Sequence, residues 1–383
     1  MKFEQSFSVD FHYPVHFTRS VFASGNDILA DVLPDGTSRV LFFADAGLLR
    51  HWPALSEQVE SWCEAHRGRL ELAAPVHPVP GGETVKNDLS ILDTVGQLCA
   101  RVGLDRHSYV AAVGGGAVLD AVGFAASCVH RGVRHMRLPT TTLSQADSGV
   151  GVKNGLNRFG IKNFYGTFQP PDAVIADTEF LRTLSGRDLL SGVAEGFKVA
   201  ITKDAELFEF LENSAGEVAE HRHPVITQIV QRTARLHLEH IQQSEDPFER
   251  GSERPLDFGH WAAHRLEEIT GYELRHGEAV AIGIGVDACC AACLGLLTER
   301  ERDRILDAMM ECGLPVWHAD LARRDAEGGL DVIVGLERFR QHLGGELTLV
   351  MPDGIGDMLF VNELTAEVIE QAIEHLNTCA SDE

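Results

Sequence analysis

SYVAAVGGGAVLDAVGFAASCV, residues 108–129, reads as a strand that runs into three glycines and then a helix. Its first half is an apolar run of strand length, the pattern of a strand covered on both faces. At Gly114, Gly115 and Gly116 the backbone can approach a pyrophosphate at the N-terminus of the following helix. Leu119 stands where the third glycine of a GxGxxG fingerprint would be, and many strand-to-helix turns carry glycines for tightness alone. Upstream, RVLFFAD (39–45) is another β-prone run, followed by a helical stretch through Ala65. LELAAPV (70–76) resembles a further strand, and PVPGGETVKND (78–88) turns into a helix. HMRLPTTT (135–142) and DAVIADTEF (172–180) complete the set. Strands alternating with helices predict an α/β N-terminal domain with a Rossmann-like parallel sheet.

From Ser185 onward the periodicity turns helical, with long stretches at 221–243 and 256–270 and a polar loop, SEDPFERGSERP, at 244–255. The expected division is 1–180 for the α/β domain and 181–383 for a helical one. A chain of 383 residues suits two domains. Its 44% hydrophobic and 23% charged residues are ordinary for a globular protein. The formal charge of −24 argues against nucleic acid and anionic membranes as partners. The N-terminal MKFEQSFSVDFHYPVHF has no apolar core of a signal peptide, and no uninterrupted apolar run reaches the roughly 18 residues of a membrane span. The eight cysteines form neither a zinc-type CxxC pair nor a small disulfide scaffold. Such thiols predict a cytoplasmic protein, with Cys289, Cys290 and Cys293 serving as small apolar residues on a buried helix.

Three polar residues stand in apolar, small-residue surroundings: Glu195 in SGVAEGFKVA, His260 in PLDFGHWAAHRLE and His276 in ELRHGEAVAIGIG. Side chains of this kind are seldom buried unless paired, hydrogen-bonded or bound to metal. Two histidines and one carboxylate leave an open position, which is how a catalytic zinc site is built. Lys198 shares a helix face with Glu195. A surface pair is the common reading, but Val193, Ala194, Phe197 and Val199 around it predict burial. His264 shares a face with His260 and is a possible further ligand, and Glu278 is placed to orient an imidazole. PTTTLSQADSGVGVKNGLNRFGIKN (139–163) gathers Asp147, Lys153, Lys162 and Asn163 among glycines. It reads as a shaped connecting loop suited to a phosphate or a polyol. Asp45 is either a ribose ligand or a helix cap. Glu83 and Lys86 either serve the cofactor or form an exposed ion pair.

Together, the PGGE turn, GGGAVLDAVGFAA, PTTTLSQADSGVGVKN with GIKN, SGVAEGFK, DFGHWAAHRLE, HGEAVAIGI and LTLVMPDGIG resemble the dehydroquinate synthase superfamily of sugar-phosphate cyclases. The likeness runs over most of the chain. It implies an NAD-binding α/β domain and an α-helical, metal-binding C-terminal domain. It implies Zn²⁺ or Co²⁺ on Glu195, His260 and His276. NAD would be met by Asp45, Glu83, Lys86, Gly114, Gly115, Gly116, Asp120, Thr140, Thr141 and Lys162. Asp147 and Lys198 would orient substrate hydroxyls, while Lys153, Asn163, His264 and Arg131 would hold phosphate. Arg131 matches an arginine that reaches into a neighbouring subunit's site, which implies a homodimer. In the family's reaction NAD⁺ takes and returns a hydride at a ring alcohol that the metal acidifies, phosphate leaves by β-elimination, and an aldol step closes a carbocycle.

The departures bear on the substrate. Dehydroquinate synthases carry Asn where this chain has Asp257. They also carry a lysine for the substrate carboxylate eighteen positions earlier, and ungapped counting lands on Glu239. Arg254 lies one position from the family's arginine, and Arg338 or Arg340 stands near its C-terminal lysine. An acidic pocket repels a carboxylate. It resembles that of 2-epi-5-epi-valiolone synthases, which cyclise sedoheptulose 7-phosphate, although those tend to lose the second histidine, here His264. The chain thus resembles a separate branch, near the EboD-type cyclases. The alternatives are a 3-dehydroquinate synthase acting on 3-deoxy-D-arabino-heptulosonate 7-phosphate, a metal-dependent polyol dehydrogenase, and a binding protein with a degenerate site.

Overall fold

In a computed structural model, which describes residues 1–381, the apolar runs of the N-terminal half form one parallel sheet. Its strands are β1 (Val15–Thr18), β2 (Ser38–Asp45), β3 (Leu70–Leu72), β4 (His77–Val79), β5 (Tyr109–Gly114), β6 (Arg134–Pro139) and, after a hairpin described below, β9 (Ala173–Asp177). The order is β1-β9-β6-β5-β2-β3, with β4 also pairing β2. Helices α1 (Leu55–Ala65), α2 (Ser90–Val102) and α3 (Gly116–Cys128) cover it. β2 shows why its sequence is continuously apolar. Val40, Phe42 and Ala44 pack into one core with Leu55 and Trp62, while Leu41 and Phe43 pack into another with Val95, Val118 and Val122. Both faces are buried, as a parallel sheet requires.

β3 and β4 lie on one side of β2 and β5 on the other, so the winding reverses between β2 and β5. Ala44 pairs with Val113, which sets Asp45 and Gly114 at adjacent carboxyl ends of the two strands. Such a switch point is where open α/β sheets bind their ligands.

The 139–163 stretch departs from the expected loop. It holds a π-helical turn, Ser144–Ser148, and an antiparallel hairpin of β7 (Lys153–Arg158) and β8 (Ile161–Phe168). Most of β8 is exposed, so no buried face imposes the apolar alternation by which a strand is read. Gly155, one of the glycines that suggested a loop, pairs with Gly166 across the hairpin.

The chain divides into two units: Met1–Thr140 with Gly151–Thr183, and Thr141–Val150 with Leu184–Glu383. The short segment carrying Asp147 thus belongs to the helical unit. That unit is built from α4 (Gly186–Lys203), α5 (His223–Gln243), α6 (His260–Ile269), α7 (His276–Cys293), α8 (Glu299–Glu311), α9 (Ile333–His342) and α10 (Ala366–Ser381). It also holds a small hairpin, β10 (Leu349–Pro352) and β11 (Met358–Val361), which the helical periodicity did not announce. α7 is long and apolar enough to cross a membrane, but 78% of it is buried inside the unit, where it serves as the core helix. Cys289 and Cys290 lie in that core as expected, whereas Cys293 is exposed at the helix end.

Candidate active site

The three polar residues converge because small residues let their helices approach closely. Gly259, with φ +79°, begins α6 one residue before His260. A Cβ on Gly283 of α7 would stand 2.0 Å from the Gly259 carbonyl oxygen. A Cβ on Gly277 would stand 2.4 Å from Ser191 Cα of α4. No larger residue fits at either crossing. One ligand-type atom each from Glu195, His260 and His276 then lies within 4.8 Å of the others.

Glu195 is fully buried. Its oxygens face the Lys198 ammonium at 2.5 Å and His276 Nε2 at 3.6 Å, and neither accepts a well-directed hydrogen bond. Burial alone would raise its pKa, but the Lys198 charge holds it well below the usual carboxylate range. Burial likewise opposes the Lys198 charge, and Asp147 and Glu195 hold that ammonium protonated. Asp147, 3.9 Å from Lys198, is kept ionised against burial by Lys198 and by His237. His260 is pushed down to about 4 by burial and then by Lys198, so its ring is neutral. Its Nδ1 faces the Phe258 carbonyl at 3.1 Å, which leaves Nε2 free as a ligand atom. His276 is raised to about 10, against burial, by Glu267 and Glu195. A cation bound there takes the place of that proton. A buried, poorly satisfied carboxylate and two imidazoles, with one position open, fit a divalent metal of the zinc kind.

The residue that orients His276 is Glu267, at 3.4 Å from Nδ1, the carboxylate–imidazole arrangement common at metal sites. Glu278 does not play this part: it ion-pairs with Arg187 and accepts from the Arg275 N–H at the start of α7. His264, four residues after His260, sits with its ring 5.5 Å from His260 and 6.0 Å from His276. With Glu267 and His276 it forms a second, more exposed group of ligand-type atoms.

Asp287 was not singled out by the sequence. Its buried carboxylate accepts from the Gly259 N–H at 2.8 Å and the Trp261 Nε1–H at 2.7 Å, bracketing His260. Burial pushes its pKa up to about 7, against those two donors. The folded pKa lies above the unfolded one, so this group's contribution to stability is full below about pH 4 and is lost as pH rises to about 7. Comparing the wild type with Asp287→Asn in urea unfolding, the wild type's relative stability is expected to fall by about 2–3 kcal/mol between pH 5 and pH 8. Equal differences at both pH values would show that Asp287 does not titrate with folding.

In the α/β unit a second polar group forms beside the glycine turn. Lys86 is 5% exposed, its Nζ donating to Asp120 Oδ2 at 2.7 Å and to Asn163 Oδ1, which removes the exposed-pair reading. Burial opposes its charge, and Asp120 and Glu83 keep it protonated. Glu83 accepts from Asn157 at 2.7 Å, and Asn157 accepts from the Asn163 N–H at 2.8 Å. Thr140 donates its N–H to Gly114 at 3.0 Å; Thr141 hydrogen-bonds Ser144 within the helical unit. Asp45 is a helix cap, accepting from Gly47 N–H at 2.6 Å, and a Cβ on Gly81 would stand 2.4 Å from its carboxylate. The free N–H groups at the start of α3 have no side-chain cap and fit a dinucleotide phosphate. Lys153 is exposed, Lys162 is half-buried, and Arg131 is exposed in a turn at φ +66°.

Three expectations about the substrate's distal end change. Glu239 is half-exposed and pairs with Arg235 at 3.6 Å. His237, two residues earlier, is the α5 side chain that meets Asp147, at 2.7 Å. Arg338 and Arg340 are exposed and engaged by Glu268 and Glu337. Arg254 pairs with Glu249 at 3.2 Å.

A parallel-sheet unit with a bare helix N-terminus at its switch point and a helical unit with a buried Glu-His-His group define a cofactor- and metal-dependent enzyme. Comparison with known proteins narrows this. The family description 3-dehydroquinate synthase N-terminal matches residues 76–191, and 3-dehydroquinate synthase C-terminal matches residues 192–331. The 2-epi-5-epi-valiolone synthase of Streptomyces glaucescens is 34% identical over 369 residues, 95% of this chain and 91% of that protein. The 3-dehydroquinate synthase of Caldanaerobacter subterraneus subsp. tengcongensis is 31% identical over 359 residues, 94% of this chain and 96% of that protein. The solved structure of 2-epi-5-epi-valiolone synthase from Streptomyces hygroscopicus subsp. jinggangensis, with NAD⁺ and Zn²⁺ bound, has a TM-score of 0.86 at 31% identity, covering 98% of this chain and 100% of that one. The chain belongs to the dehydroquinate synthase superfamily and stands with its 2-epi-5-epi-valiolone synthase branch.

Proposed function

We propose that this protein is an NAD- and divalent-metal-dependent sugar-phosphate cyclase, a phosphate-eliminating lyase that converts sedoheptulose 7-phosphate to a valiolone-type cyclitol. The observation that carries the reading is the buried Glu195, His260 and His276 group with Lys198 and Asp147 beside it. The valiolone synthase relatives supply the substrate class. When bound, NAD⁺ supplies reversible hydride uptake at a ring carbon and zinc or cobalt polarises the alcohol there. Glu195, His260 and His276 would hold the metal. Asp45, Glu83, Lys86, Gly114 to Gly116, Asp120, Thr140, Thr141 and Lys162 would meet the dinucleotide. Lys198 and Asp147 orient hydroxyls. By the family likeness, Lys153, Asn163, His264 and Arg131 would hold the phosphate.

Asp257 favours a substrate without a carboxylate, since it adds a charge beside the Lys198 ammonium. With Glu239 turned away, Asp257 carries this specificity without it. Arg131, exposed in its turn, is suited to reach a second copy of the chain. The exposed Phe159 and Phe164, whose rings meet at 5.3 Å, and the exposed Phe168 on the same strand as Phe164 support a homodimer, because exposed aromatic groups of this kind suit a protein interface. Eight free thiols suit a cytoplasmic setting.

A 3-dehydroquinate synthase is the second reading, favoured by the retained His264 and by the 31% identical relative of that name. The deciding experiment measures inorganic phosphate released by the protein with NAD⁺ and Zn²⁺. Release from sedoheptulose 7-phosphate, and not from 3-deoxy-D-arabino-heptulosonate 7-phosphate, is expected, with the cyclitol identified by mass. The reverse preference would make the protein a dehydroquinate synthase. Accumulation of NADH without phosphate release would make it a polyol dehydrogenase.

A further inference from the structure

One imidazole beside the metal-ligand group has no role in the assignment above. His237 lies on α5, with Nδ1 2.7 Å from Asp147 Oδ1. The other Asp147 oxygen faces Lys198 at 3.9 Å, Lys198 holds Glu195 at 2.5 Å, and Glu195 faces His276 at 3.6 Å. An unbroken run of polar groups therefore joins His237 to the ligand set, although α5 contributes no ligand. The His237 side chain is 14% exposed, and Nε2 has no partner among the described residues. An imidazole anchored through one nitrogen presents the other in a fixed direction. A ring nitrogen without a protein partner on a side chain this well covered is open to a ligand's hydrogen bond.

The neighbouring charges select the kind of ligand. Three carboxylates, Glu195, Asp147 and Asp257, act on the one ammonium, Lys198. A second carboxylate or a phosphate brought to Nε2 would meet Asp147 across the ring. An alcohol brings no charge, and its O–H can donate to the Nε2 of a ring whose Nδ1–H is given to Asp147. We propose that His237 is a further substrate-binding residue, held by Asp147 through Nδ1 and hydrogen-bonding a neutral hydroxyl of the heptulose through Nε2. The assignment rests on the cyclase reading above.

Two substitutions separate the ring's nitrogens. His237→Asn places an amide nitrogen near the former Nδ1 and keeps the Asp147 contact while losing Nε2. His237→Gln places its amide near the former Nε2 and gives up Nδ1. With sedoheptulose 7-phosphate, His237→Asn is expected to lose about tenfold or more in kcat/KM, chiefly through KM. His237→Gln is expected to recover part of that loss. Zinc affinity, measured by competition with a chromophoric chelator, is expected to match the wild type in both. An Asn variant as good as the Gln variant would assign His237 to holding Asp147 alone and overturn the proposal, and so would loss of zinc in either. A wild-type protein that releases no phosphate from any heptulose phosphate would end the cyclase reading and this assignment with it. Release by the wild type and equally by His237→Asn would end this assignment only.

Discussion

His260→Ala will lose its metal and its phosphate-releasing activity together, while NAD⁺ binding stays within about twofold of the wild type. The reason is structural. His260 reaches the ligand group from the first turn of α6, its ring aimed by the Phe258 carbonyl, while Asp287 holds the Gly259 N–H before it and the Trp261 indole N–H after it. Removing the imidazole leaves one carboxylate and one imidazole, too few to hold zinc against bulk water. The loss of a metal that polarises the reacting alcohol is worth several kcal/mol, on the order of a thousandfold in turnover. The glycine turn and the Lys86–Asp120 pair belong to the α/β unit and are untouched. Zinc content by elemental analysis, phosphate release and NAD⁺ titration form the test. Stoichiometric zinc with normal turnover would sink the metal assignment. Zinc kept without turnover, and then lost in the His260→Ala/His264→Ala double variant, would show that His264, Glu267 and His276 had captured the ion.

The parts of this site that sequence reading reached are those where chemistry and local context coincide. Glu195, His260 and His276 are polar residues in runs of small apolar ones, and each is placed by a close helix crossing that demands those small neighbours. The glycine turn was legible for the same reason, because β5 must end and α3 begin within three residues. What stayed hidden is pairing between helices. Glu267, His237 and Asp287 each look like an ordinary polar position on an amphipathic or apolar helix. Only the packing of α5, α6 and α7 shows which faces meet. Glu239 illustrates the limit: two residues along a helix is about 200° of rotation, so a count that lands two positions away selects the opposite face. The hairpin of β7 and β8 was hidden for another reason, since a mostly exposed strand carries no hydrophobic period.

Lys198→Met is expected to be the most destabilising single change near the site when metal is withheld. Lys198 is 2% exposed and Glu195 fully buried, so the ammonium is the charge that makes two ionised carboxylates, Glu195 and Asp147, tolerable there. Methionine keeps the length and apolar stem of lysine and removes the charge alone. Breaking a buried ion pair from one side costs about 3–5 kcal/mol, because the partner is left charged and unpaired. For a unit of this size that corresponds to a fall in Tm on the order of 10 °C in the presence of a strong chelator. Zinc then becomes diagnostic. In the wild type the metal adds its own binding free energy to stability. In Lys198→Met it also supplies the positive charge that Glu195 has lost. The zinc-dependent rise in Tm is therefore expected to be larger in the variant than in the wild type, even though activity stays low for want of a group to orient the hydroxyls. Calorimetry with chelator and with saturating zinc measures both values. A variant that matches the wild type with chelator present would mean that Lys198 is not the counter-charge of Glu195. An equal zinc increment in the two proteins would mean that the metal and Lys198 do not share that carboxylate.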